Sequence, residues 1–113
     1  TEADMAAALD GLAVLKKRAA ATGIDGNREY NPGWHTALDL DNLLIASEAA
    51  TRSALDRQES RGGHFRDDHP EKKKEFTNHN TVIRRGPDGA MQLRREAIPA
   101  LRDDLKQVIE ENK

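Results

Sequence analysis

The sequence predicts a mainly α chain, a small bundle of about three helices with a short β-hairpin near the C-terminus. Three observations predict it. Apolar residues recur at helical spacing through two long stretches and one short C-terminal one. Thr1-Glu2-Ala3-Asp4 has the form of a capping box. Two segments rich in β-formers flank Gly86-Pro87-Asp88-Gly89, where Pro87 presets a turn corner and Gly89 tolerates positive φ.

The first helix is expected over residues 2–20, with Met5, Ala8, Leu9, Leu12 and Ala19 near one face and Lys16, Lys17 and Arg18 toward its negative end. Gly23 and Asp25-Gly26-Asn27 end it, and Asn31-Pro32-Gly33 reads as a turn. The second helix is expected over about 36–58. Ala37, Leu40, Leu44 and Ser47 form one stripe and Leu38, Ile45 and Ala49 another, so two of its faces call for burial. Trp34 is expected to be a buried anchor between the two helices, with His35 beside the indole as a turn residue. Gly62-Gly63 breaks the helix, and Pro70 with Glu71-Lys72-Lys73-Lys74-Glu75 reads as a solvated loop. The hairpin is expected over about 81–95. A last helix over about 100–111 is expected to start at Pro99, with Ile98, Leu101, Leu105, Val108 and Ile109 as its apolar stripe.

At 113 residues the chain is expected to form a single domain, 1–113, burying about two-thirds of its unfolded surface. One Trp, one Tyr and two Phe leave the core to Leu, Ile, Val and Ala. A net charge of −2 with both signs interspersed provides no field for nucleic acid or an anionic membrane. The apolar run Leu43-Leu44-Ile45-Ala46 is far short of the roughly 20 residues of a membrane helix, so no direct membrane insertion is expected. With no cysteine there is no disulfide, thiolate zinc site or iron–sulfur cluster within these residues. The chain opens at Thr1 and its first methionine is Met5, which reads as a cut just before a helix.

The chemistry concentrates in Glu59-Ser-Arg-Gly-Gly-His-Phe-Arg-Asp-Asp-His-Pro70, where Arg61, His64 and Arg66 supply donors and Asp67 and Asp68 acceptors. This string follows Asn31-Pro-Gly-Trp-His-Thr-Ala-Leu-Asp-Leu-Asp-Asn-Leu-Leu44. In that order and separation, from about Ile24 to Arg102, the pair resembles the C-terminal helical domain of the flavoprotein subunit of succinate dehydrogenase and fumarate reductase. L-aspartate oxidase, with a similar Glu-Ser-Arg-Gly-x-His string, is the nearest competitor. The hairpin and Arg95-Glu96-Ala97-Ile98-Pro99 look more like the succinate dehydrogenase side, although the tail after Pro99 departs from it.

The resemblance implies a piece of a larger FAD-dependent oxidoreductase that interconverts succinate and fumarate and passes electrons to an iron–sulfur subunit and quinone. It implies a cytoplasmic place, peripheral to the inner face of the plasma membrane through the parent complex. Substrate and flavin residues of the family lie in the preceding flavin-binding and capping domains. None carries over here, so no catalytic, cofactor-binding or metal residue is assigned and no FAD is expected in this chain. Its own role would be to buttress those domains.

Other readings of the residues remain. Arg61, His64, Arg66 and Asp67 could grip a dicarboxylate, or could tie a structural knot at a helix end. Trp34 and these four are the interdomain or structural candidates. His64, His69 and His79, with Asp67 and Asp68, fit no familiar metal spacing. Arg61-Gly62-Gly63, Lys72 to Lys74 and the four hairpin arginines lack the aromatic platforms of an RNA-binding face. The hairpin arginines are expected to point outward or to grip carboxylates of a neighbouring domain. A non-enzymatic helical interaction module is the competing class, and an isolated chain of this kind is expected to form a homodimer through its uncovered apolar faces.

Overall fold

The computed structural model describes residues 1–112, in the order α1 (Glu2–Ala20), α2 (Pro32–Asp56), β1 (His79–Arg85), β2 (Met91–Ala97) and α3 (Asp103–Glu111). Three helices and one antiparallel hairpin are the predicted architecture.

The start of α1 is the expected capping box. The Thr1 hydroxyl accepts the Asp4 amide at 3.4 Å, and the Asp4 carboxylate reaches back to the Thr1 amine at 3.1 Å. Met5, Leu9, Leu12, Lys16 and Ala19 are half-buried while Ala8 is exposed, a stripe at three- and four-residue intervals.

α2 begins four residues earlier than its sequence suggests. Asn31 is not a turn residue but the N-cap, its Oδ1 accepting the Gly33 amide at 3.0 Å. Its Nδ2 simultaneously donates to the carbonyls of Asp25 and Asn27 at 2.9 and 3.0 Å, so one side chain both orders the loop and opens the helix. Pro32 then stands in the first turn, where its missing amide leaves nothing unsatisfied. The helix ends at Asp56, two residues before the expected Gln58.

α1 and α2 run antiparallel, Glu2 lying near Asp56 and Ala19 near Leu40 and Leu44. Leu44, 7% exposed, is the buried residue of this seam, with Ala37 and Leu40 half-buried beside it. Ser47 is exposed instead, and so are Leu38 and Ile45 of the second stripe. Trp34 is not the buried anchor expected: it is half-buried on the first turn of α2, with the Arg28 guanidinium 4.9 Å from its ring centre. His35 is an exposed helical residue.

The solvated stretch expected at residues 71–75 runs into a single 3-10 turn, Lys74–Phe76, which carries Phe76 inward to 2% exposure. β1 and β2 pair from His79↔Ala97 to Arg85↔Met91, two residues longer at each end than predicted. The Gly86 amide closes the turn onto the Ala90 carbonyl at 2.8 Å, with Gly89 at φ 80°. The Ile98 amide extends the ladder to the Asn78 carbonyl at 2.9 Å. α3 starts at Asp103 rather than at Pro99, and all its residues are exposed.

The result is elongated, 64 × 34 × 29 Å, with a radius of gyration of 19.8 Å where a compact chain of this length would have about 13 Å. It exposes 8833 Å² against roughly 6,200 Å² for a compact monomer, so it buries about half its unfolded surface, not two-thirds. Among the described residues no helix is long and apolar enough to cross a membrane.

Candidate functional site

The segment from Arg57 to Thr77 folds into a polar knot against the C-terminal end of α2. At its centre is Glu59, fully buried. Its carboxylate accepts from Arg57 Nε at 2.8 Å, from Arg61 Nε at 2.8 Å and Nη2 at 3.0 Å, and from the Lys73 amide at 2.9 Å. The Arg61 guanidinium, followed by the Lys73 amide and Arg57, overcomes the burial that would favour a neutral acid and holds Glu59 down to about 2. Both arginines then reach further. Arg57 Nη2 donates to the Phe76 carbonyl at 2.8 Å, and Arg61 Nη2 to Thr77 Oγ1 at 3.1 Å.

Two glycines let the chain double back. Gly62 sits at φ 59°, a left-handed conformation that side chains resist. The Arg61 and His64 backbones therefore pair, Arg61 N–H to His64 O at 2.8 Å and His64 N–H to Arg61 O at 3.1 Å. This places His64 Nε2 2.9 Å from the Arg57 carbonyl. A carbonyl only accepts, so Nε2 carries the proton.

Arg66, 2% exposed, ties the two helices together. Its Nη1 donates to the Leu55 carbonyl at 3.1 Å, one of the unpaired acceptors at the end of α2. Its Nε and Nη2 form a fork on Asp68, at 2.9 and 2.6 Å. Asp68 Oδ2 in turn accepts the Glu2 amide of α1 at 2.8 Å. A cation thus sits at the negative end of one helix and an anion at the positive end of the other. The Arg66 guanidinium is the leading cause that holds the Asp68 carboxyl far below the usual carboxylate range. Ser60 completes the turn, its hydroxyl accepting the Arg66 amide at 2.9 Å and donating to the His69 carbonyl at 2.9 Å.

The hairpin is clamped to the same helix end. Arg95 forks onto Asp56 at 2.9 and 3.2 Å, and Thr81 Oγ1 donates to the same carboxylate at 3.2 Å. Phe76 lies under Arg57 and Arg95, whose guanidinium carbons stand 5.7 and 5.0 Å from its ring centre.

Of the candidate residues, Arg61, His64 and Arg66 come together in the knot, whereas Trp34 lies elsewhere. Asp67 does not join it: its side chain is exposed and Asp68 holds Arg66. Glu59, absent from the candidates, is the centre. Among the described residues Glu2, Asp68 and His69 bring donor atoms within 4.8 Å of one another, but Asp68 is already held by a guanidinium. His79 lies against Phe76, the ring centres 5.5 Å apart and the planes tilted by 49°, with Nε2 buried and unpaired. Of the hairpin arginines, Arg95 grips a carboxylate of α2 itself and Arg94 pairs with Glu96.

A family described as the fumarate reductase flavoprotein C-terminus matches residues 1–108. The chain belongs to that family. The match takes in α1 and most of α3, beyond the resemblance read from Ile24 to Arg102. This succinate dehydrogenase/fumarate reductase flavoprotein C-terminal domain is 34% identical over 87 residues to the fumarate reductase flavoprotein subunit of Mycobacterium tuberculosis, covering 76% of this chain and 15% of that one. The structure of Mycobacterium smegmatis Sdh1 in complex with UQ1 superposes with a TM-score of 0.87 at 39% identity, covering 98% of this chain and 19% of that one. An L-aspartate oxidase of Synechocystis matches half of the chain, 60 residues at 38% identity, which leaves that alternative the weaker. The domain spans about 15% of the length of the fumarate reductase relative.

Proposed function

We propose that residues 1–113 form one structural domain of a larger flavoprotein and buttress its flavin-binding and capping domains. The parent would interconvert succinate and fumarate, pass electrons to an iron–sulfur subunit and quinone, and lie in the cytoplasm at the inner face of the plasma membrane. The observation that carries the structural role is the double use of Arg66 and Asp68, whose charges are committed to joining the ends of α1 and α2. Arg57 and Arg61 are likewise committed to Glu59, so these guanidinium groups are engaged inside the fold rather than presented to a dicarboxylate.

Flavin would belong to the rest of the parent. A dinucleotide pyrophosphate is held where a strand turns through glycines into a helix, and the two strands here instead join each other through a hairpin. Val14 and Leu15 on α1 and Leu38 and Leu43 on α2, each between 45% and 61% exposed, offer an apolar surface for neighbouring domains.

Arg66→Ala in the parent enzyme is the test. Flavin content and thermal stability should fall together while KM for succinate in the surviving enzyme stays unchanged. Normal assembly with a raised KM would place the knot in the substrate site and overturn the reading.

A further inference from the structure

A strained and fully exposed aromatic stands at the entrance to α2. Tyr30 has φ 53°, in the left-handed region, and among the described residues it is the one non-glycine there. The other such positions are Gly26, Gly62 and Gly89. A bulky side chain is disfavoured in this conformation because its Cβ crowds the following carbonyl, whereas glycine adopts it freely. Asn31 holds the chain in it. Its Nδ2 binds the Asp25 and Asn27 carbonyls while its Oδ1 caps α2, so residues 25–31 form a closed loop with Tyr30 at its junction with the helix. The ring makes up for none of this strain inside the domain, since it is fully exposed. Strain with no internal contact to offset it calls for a contact outside.

The chemistry of the surroundings says what kind. Tyrosine offers a rigid apolar body and a hydroxyl, with only two side-chain torsions to fix on binding. The Arg28 guanidinium lies 4.9 Å from the ring centre of half-buried Trp34, one turn along. Tyr, Trp and Arg are the residues that dominate protein–protein interfaces. Leu38, exposed one turn beyond Trp34 on α2, continues the cluster into the apolar surface offered to neighbouring domains. The matched part of Sdh1 is 19% of that chain, so most of it lies outside the match.

We propose that Tyr30 is a docking anchor, seated in the remainder of the same flavoprotein chain in an apolar slot with a polar atom at its end for the hydroxyl. The proposal rests on the reading that residues 1–113 are one domain of a larger flavoprotein. The closed loop presents the ring already ordered, which keeps the entropy cost of docking small.

Hydroxyl-radical footprinting of the parent flavoprotein subunit tests it, read by mass spectrometry at Tyr30 with N-acetyltyrosinamide as the reference. Tyr30 should be protected in the free subunit, equally at every concentration. A second measurement follows the temperature at which flavin fluorescence rises. Tyr30→Gly and Tyr30→Asn both suit the left-handed backbone, so without a partner for the ring they would raise that temperature. With the ring docked they should lower it by several degrees, while Tyr30→Phe stays close to the unsubstituted enzyme. The Arg66→Ala enzyme reports on the buttress separately: lost flavin there with a freely oxidised Tyr30 would leave the buttress standing and sink the anchor alone. Oxidation of Tyr30 as fast as the reference, protection that appears only with the iron–sulfur subunit bound or only at high concentration, or a flavin-release temperature unchanged or raised by both substitutions would each overturn the proposal.

Discussion

Glu59 is an acid kept charged without water. Two guanidinium groups and a backbone amide replace its hydration, and its folded value of about 2 lies below the ordinary 4.5. A depressed carboxylate contributes stability that is present above the unfolded value and lost as pH falls through the folded one. The domain should therefore lose stability as pH drops from about 4.5 toward 2, and a melting series over that window should show it. Glu59→Gln should make that dependence shallower, leaving the part due to Asp68, and lower the melting temperature at neutral pH, whereas Asp67→Asn, at an exposed position, should leave the melting temperature at neutral pH unchanged. Arg66→Ala removes one partner of a buried pair and should destabilise by on the order of 3 kcal/mol, measured by denaturant titration. The composition of this cluster was legible in the string from Glu59 to Pro70, but its wiring was not. Asp67 and Asp68 are adjacent and chemically alike, and only the direction of the turn after Arg66 decides which faces the guanidinium. Glu59 precedes the glycines, and nothing local marks it as the acid around which Arg57 and Arg61 close.

The helices were legible wherever periodicity carried the signal, and less so at their ends. Asn31-Pro32-Gly33 suits a turn or a helix start equally well. The three bonds of the Asn31 side chain select the start, and two of them depend on a loop fold that periodicity does not describe. Asn31→Ala should accordingly cost about 1 kcal/mol or somewhat more, since it frees the Asp25–Asn31 loop as well as the cap. Leu44→Ala should cost about 2 kcal/mol, the low end for such a truncation, because its surroundings are open enough to relax. Phe76 was hidden by its neighbours. A lysine run reads as solvated, yet those lysines flank a turn that sends the ring between Arg57 and Arg95.

At the scale of the molecule, few apolar side chains are buried and polar contacts hold the elements together. Unfolding should thus expose about a fifth less new surface than in a compact chain of equal length, and the urea m-value should be lower in proportion. The Glu2–Asp68 contact has a consequence in time as well. Its partners stand 66 residues apart in sequence, whereas α1 and α2 are joined by one short loop. Pairing of the two helices should therefore be the quicker event, with closure of the long loop following it. Asp68→Asn should then steepen the rate of unfolding while refolding from urea proceeds at its original speed. A refolding arm slowed as much as the unfolding arm is quickened would put this contact in the nucleus instead. With Asp68 closing last, the chain would assemble as a helical hairpin that is afterwards latched at its open end.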